Sequence, residues 1–197
     1  MKKDIINKDE LLKKLNNVVN DQDKFIAMAI FYGILGTDAK DLINLKVSDI
    51  DFEKNIIRIG NRTIIMEDDF KKIIQAAINQ KFYLVNSDND HCLNDYEFNE
   101  NSEYVIKVKP MKNTQNGLGK ISTKGLKKRL ETVSESIGFK LTTRNLITSG
   151  AIYRILLEGE KNSEGKYILK TVEDILKKYG YVLSAYRIYK IINDFES

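Results

Sequence analysis

The chain has 197 residues, 42% of them apolar, with one proline, one cysteine and a formal net charge of +4. That length supports one well-buried core and argues against two large domains, so a single domain over 1–197 is expected. The lone Cys92 excludes an internal disulfide framework, and with no apolar run near 18 residues and no basic-then-apolar leader, neither a membrane span nor a signal peptide is expected.

The first 20 residues read as an N-terminal helix. Asn7 opens it with Glu10 at capping-box spacing, and Leu11, Leu12, Leu15, Val18 and Val19 supply an apolar stripe. Asp21 or Asp23 caps the next helix, whose run Phe25 to Phe31 is apolar nearly all round and therefore central. Leu42, Ile43 and Leu45 give a short helix its buried face. Asn55 to Ile59 and Arg62 to Met66 then read as two strands around a Gly60-Asn61 turn.

Asp68 or Asp69 starts a helix with Phe70, Ile73, Ile74, Ala77 and Ile78 on one face. Order weakens afterwards: 86–103 reads as an irregular acidic connection, preceded by a short strand over Phe82 to Val85. Tyr104 to Val108 carries a strand signal ended by Pro110, and MKNTQNGLGK reads as a mobile basic loop. Ser122 or Thr123 caps a helix with Leu126, Leu130, Val133 and Ile137 inward and Lys124, Lys127, Lys128 and Arg129 outward, closed by Gly138. Thr142 or Thr143 opens a helix to about Leu157, and two more follow, Val172 to Tyr179 and Ser184 to about Phe195.

Charge is unevenly placed along this order. From Glu67 to Glu103 nine acidic residues face three lysines, a net of −6, whereas from Lys107 to Arg144 ten Lys and Arg face two Glu, a net of +8. A basic stretch after an acidic one points to a polyanion-binding face. His91-Cys92 has no second His or Cys to complete a metal site, so neither metal nor cofactor is expected.

Tyr32 to Arg62, YGILGTDAKDLINLKVSDIDFEKNIIRIGNR, resembles the opening of the catalytic domain of tyrosine recombinases, the phage integrases. In that family a glycine, a leucine, the first catalytic arginine and, three residues on, a glutamate precede an LxLxxxDID segment and a hairpin. Gly36 falls on the glycine, Asp41 on the glutamate, and Asp38 on the arginine. The resemblance implies a mainly α fold with a small antiparallel hairpin. It also implies that catalysis is lost, since a carboxylate cannot replace a guanidinium that clamps a phosphate.

The later signatures point the same way. Arg144 sits where the family has a histidine and Ile147 where it has the second arginine. In Tyr179-Gly180-Tyr181 the last residue takes the place of a second histidine, and Tyr189, eight residues on, aligns with the nucleophile, with Tyr186 as the weaker candidate. The hairpin lysine has no clear counterpart; Arg62 is the nearest basic residue. A tyrosine hydroxyl with an ordinary pKa of roughly 10 needs activation, and phosphoryl transfer needs positive groups at the phosphate. Asp38, Arg144, Ile147 and Tyr181 are expected to gather round one pocket near Tyr189, with no enzyme activity.

Within this group of folds the sequence is similar to the master repressors of SPbeta-like prophages (MrpR-type). The resemblance implies a non-catalytic, double-stranded-DNA-binding transcriptional regulator of lysogeny, cytoplasmic in a bacterial host. Arg62, Lys112, Lys120, Lys124, Lys127, Lys128, Arg129, Arg144 and Arg187 are the expected DNA contacts. Relatives carry an N-terminal arm that completes a clamp; only 20 residues precede Asp21, so weaker and more salt-sensitive binding than by the pair is expected. Three other readings stand beside this one. The chain could be a short module that antagonises a full-length regulator or self-associates, or a residual recombinase using Tyr189. The stretch VEDILKKYGYVLSAYRIYKII could alternatively be a helix-turn-helix presenting Ser184, Tyr186 and Arg187 to the major groove.

Overall fold

The computed structural model describes residues 5–85 and 95–196, with side chains described through Asp194. His91 and Cys92, and the acidic connection over 86–94, lie outside the described residues. Helix α1, Lys8–Leu15, starts as its sequence dictates: the Asn7 side chain accepts the Glu10 N–H at 2.8 Å. Leu11, Leu15 and Val18 are buried, but Val19 is 48% exposed because the helix has ended before it.

Helix α2, Asp21–Phe31, is the axis of the main core. Every residue from Phe25 to Tyr32 is fully buried, and α2 packs against α4 (Asp68–Asn79), α5 (Thr123–Ile137) and α6 (Thr143–Glu158). Its cap position is Asn20, not Asp21 or Asp23. The Asn20 side chain is used elsewhere, donating to the Leu84 carbonyl at 2.8 Å and accepting the Leu84 N–H at 2.9 Å.

A 3₁₀ turn over Thr37–Ala39 leads into α3, Lys40–Ile43. The expected hairpin forms, with β2 (Ile56–Ile59) and β3 (Arg62–Ile65) antiparallel and Ile57 opposite Ile64, both fully buried. A further strand, β1 (Ile50–Asp51), adds to β2, so the sheet has the order β1-β2-β3. Glu67, rather than an aspartate, occupies the cap position of α4, which buries Phe70, Ile74 and Ala77. β4 (Phe82–Tyr83) pairs with β5 (Tyr96–Glu97), so the expected irregular stretch contains a second small sheet.

Tyr104 to Val108 does not form the expected strand. A single bridge joins Tyr104 to Lys46; beyond it the Val105 N–H donates to the Leu45 carbonyl, while the Lys107 N–H donates to the Gln22 side chain at 2.9 Å. Val105, Ile106 and Val108 are all buried, so the segment is an extended core filler and its alternation carried no solvent face. Lys112–Gly117, expected as a loose loop, winds into a 3₁₀ turn pinned by the Thr114 hydroxyl, which donates to the Lys109 carbonyl at 2.6 Å and accepts the Met111 N–H.

The last four helices are α5, capped by Ser122 accepting the Gly125 N–H, α6, capped reciprocally by Thr142 and Asn145, α7 (Leu169–Tyr179) and α8 (Ala185–Glu196). A second cluster of buried side chains lies among α6, α7 and α8, and Ile147 packs against both clusters. Gly150 makes the junction possible: a Cβ there would lie 1.6 Å from the Phe31 carbonyl oxygen, so only glycine lets α6 approach the end of α2 so closely.

Candidate nucleic-acid interface

Two expected DNA contacts turn inward. Arg129 is 8% exposed. Its guanidinium lies 4.7 Å from the Tyr83 ring centroid, donates to the Lys107 carbonyl at 3.0 Å and stands 3.7 Å from the buried Asp23 carboxylate. Burial pushes the Asp23 carboxyl up; the Arg129 charge and the hydrogen bond from the Tyr83 hydroxyl oppose that rise without cancelling it. Arg129 thus fastens α5 to α2 and to the β4–β5 hairpin. It sits on α5 beside Leu130, on the inner edge of a helix whose outer face carries Lys124, Lys127 and Lys128.

Arg62 is likewise committed. Its guanidinium donates to the Tyr179 carbonyl at 2.7 Å and pairs with Asp41. The side chain occupies the space a Cβ would take at Gly180, which ends α7 in the left-handed conformation (φ +72). The arginine of β3 therefore closes the C-terminus of α7 and ties it to the carboxylate that follows Gly36.

A second buried arginine, Arg154, was not legible as such in the sequence. Arg154, 6% exposed, stands 3.2 Å from Glu67 and within 5.0 Å of the Tyr32 and Tyr179 ring centroids. Glu67 also accepts from Lys8 and from the Tyr153 hydroxyl. Burial works against ionisation of Glu67, but the Lys8 and Tyr153 hydrogen bonds with the Lys8 and Arg154 charges hold it below the ordinary carboxylate range. The available signal was a lone cation inside the apolar run Ala151 to Leu157.

The five positions aligned with an inherited catalytic centre differ in exposure and in partners. Asp38 is exposed on a left-handed turn (φ +53). Tyr181 is buried, with its hydroxyl donating to the Phe31 carbonyl at 2.8 Å, and burial pushes that hydroxyl's pKa up. Ile147 is half-buried between the two clusters, and Tyr189 is half-buried and stacked on Tyr186. Among the described residues no hydrogen bond or ion pair joins any two of the five.

Of these positions only Arg144 lines the cleft that opens between the first turn of α6 and α8. Lys140 and Arg187 line it too, with Thr148 and, as apolar wall, Ile5 and Ile191. Among the described residues no Asp or Glu lines the cleft, and none of the three cations has an ion pair. Elsewhere Lys112, Lys124 and Lys128 are exposed with no ion pair among the described residues, Lys120 reaches the Asn44 side chain at 2.9 Å, and Lys127 stands 3.9 Å from Glu131 in an exposed pair worth little.

A family profile described as "MrpR, C-terminal catalytic domain" matches residues 5–195. The chain belongs to that family. The crystal structure of XerA recombinase is similar to this MrpR-type domain with a TM-score of 0.59 at 18% sequence identity, covering 97% of this chain and 60% of that one. The chain thus spans about three-fifths of the XerA chain. No curated protein matches it. The fold is accordingly the mainly helical tyrosine-recombinase fold with small antiparallel sheets. Among the described residues no helix is long and apolar enough to cross a membrane, and no group of three His, Cys, Asp or Glu could hold a metal ion.

Proposed function

We propose that this MrpR-type domain is a non-catalytic, double-stranded-DNA-binding regulator of the phage-repressor kind, built on a recombinase scaffold whose cutting chemistry has been lost. The observation that carries the reading is the exposed row Lys124, Lys127 and Lys128 on α5, continued by Lys112 and Lys120 in the preceding turn. Long ammonium side chains held out by a packed helix meet phosphates without base preference and supply most of a salt-dependent affinity. Arg62 and Arg129 leave the contact set, because each already serves an internal carboxylate.

Loss of catalysis is supported by the chemistry of the signature positions. Asp38 brings negative charge to the place of a phosphate clamp, Ile147 has no hydrogen-bond donor, and the Tyr181 hydroxyl is spent on a backbone carbonyl. Removing one such donor typically costs on the order of 10²–10³ in rate. Several removed together leave no useful strand exchange.

A gel-shift titration over phage operator fragments at two salt concentrations tests the reading. Sequence-selective retention that weakens at the higher salt is expected. Absence of retention on any duplex, with salt-insensitive capture of a protein partner instead, would replace the proposal with an interaction module.

A further inference from the structure

The cleft between α6 and α8 differs in kind from the α5 lysine row. Lysines on a convex helix each meet solvent separately. In the cleft, Lys140 ahead of α6, Arg144 on its first turn and Arg187 on α8 bring three cations to one concavity, with no carboxylate among the described lining residues. Like charges gathered this way repel one another, and none of the described residues lining the cleft carries a compensating charge. Ile5 and the buried Ile191 form an apolar wall that keeps the local dielectric low and focuses the field into the opening. Thr148, one turn along α6 from Arg144, adds a hydroxyl, and two guanidiniums supply planar forks suited to a tetrahedral oxyanion.

We propose that this cleft is a discrete phosphate clasp that seats one phosphodiester group of a DNA strand, with Arg144 and Arg187 as paired forks and Lys140 as the third charge. This deepens the DNA-binding reading and rests on it for the source of the phosphate. It assigns the two basic surfaces different tasks: the α5 row supplies diffuse attraction, and the clasp fixes where the backbone lies. The side chain of Ile5, whose neighbour Ile6 donates its N–H to the Ser149 hydroxyl at 3.0 Å, forms one rim of the site.

The test titrates the isotope-labelled full chain with inorganic phosphate at constant ionic strength, following amide shifts, and separately measures binding to a duplex by fluorescence anisotropy across salt. Saturable shifts confined to residues 140–148 and 187–191 are expected. They should disappear in the Arg144→Gln, Arg187→Gln double variant and persist in Lys124→Gln, Lys127→Gln, Lys128→Gln. On duplex DNA the double variant should lose roughly tenfold in affinity and about one to two units of salt slope. Because both arginines are exposed, the double variant should melt as the wild type does; should it not, Lys140→Gln, which lies outside α6 and α8, must reproduce a partial loss of the phosphate response.

Shifts scattered over all lysines without saturation, or a phosphate response untouched by these variants, would overturn the clasp while leaving duplex binding intact. A saturable phosphate response with no binding to any duplex would instead defeat the DNA reading and retain the cleft as a site for a free phosphate.

Discussion

The hydroxyl of Tyr181 donates to the carbonyl oxygen of Phe31 at 2.8 Å, across the contact between the end of α2 and the turn after α7. A residue aligned with a catalytic histidine is thereby a structural strut. Phe31 is the last residue of α2, and its carbonyl has no onward helical turn to accept from. Tyr181→Phe leaves that buried oxygen unpaired. It should lower stability by about 1–2 kcal/mol and leave duplex affinity unchanged. Chemical denaturation beside a binding titration checks both; an affinity loss at unchanged stability would return Tyr181 to the interface.

Gly150 and the same carbonyl set a second expectation. With only 1.6 Å between a hypothetical Cβ and the Phe31 oxygen, Gly150→Ala must push α6 off α2, where the two buried clusters meet. A loss of about 3 kcal/mol is expected, visible as a large fall in melting temperature. A melting temperature within a degree or two of the wild type would contradict the close approach.

Arg129 and its exposed neighbours on α5 should separate cleanly. Lys124→Glu, Lys127→Glu, Lys128→Glu should weaken duplex binding roughly tenfold or more and leave the melting temperature nearly unchanged, since exposed substitutions rarely move stability by more than about 0.5 kcal/mol. Arg129→Ala strands the buried Asp23 carboxylate and should cost about 3 kcal/mol. Thermal melts and anisotropy on the two variants settle the contrast; a stable Arg129→Ala with weakened DNA binding would reverse the assignment.

The Glu67 network makes stability depend on pH with a definite sign. Folding holds Glu67 below its ordinary value of 4.5, so its ionised form contributes stability above that pH, and the contribution is lost as pH falls through the lower folded value. Lys8, Tyr153 and Arg154 are the groups responsible. Glu67→Gln should cost about 3 kcal/mol at pH 7, leaving Arg154 buried without its counter-charge, and should flatten the acid limb below about pH 4.5. Urea midpoints from pH 3 to 7 test this. Parallel curves for wild type and variant would rule Glu67 out as the titrating group.

What the sequence disclosed was local. The Asn7, Ser122 and Thr142 caps, the Gly60-Asn61 hairpin and the all-apolar run of α2 each follow from residues within a few positions of one another. What stayed hidden depended on partners far along the chain. Val105, Ile106 and Val108 look like a strand until Leu45 and Gln22 are seen to take the backbone bonds. Arg62, Arg129 and Arg154 look like solvent-facing or anomalous cations until Asp41, Asp23 and Glu67 arrive from other elements. The same limit applied to the site: Arg144 and Arg187 were both legible as DNA contacts, but nothing in the sequence placed them with Lys140 in one cleft.

A recombinase scaffold proposed to grip DNA without cutting it is tested most directly with a nicked suicide duplex, in one reaction split between native and denaturing gels. A shifted band on the native gel and free DNA alone on the denaturing gel are expected. A covalent protein–DNA adduct on the denaturing gel that disappears in Tyr189→Phe would contradict it.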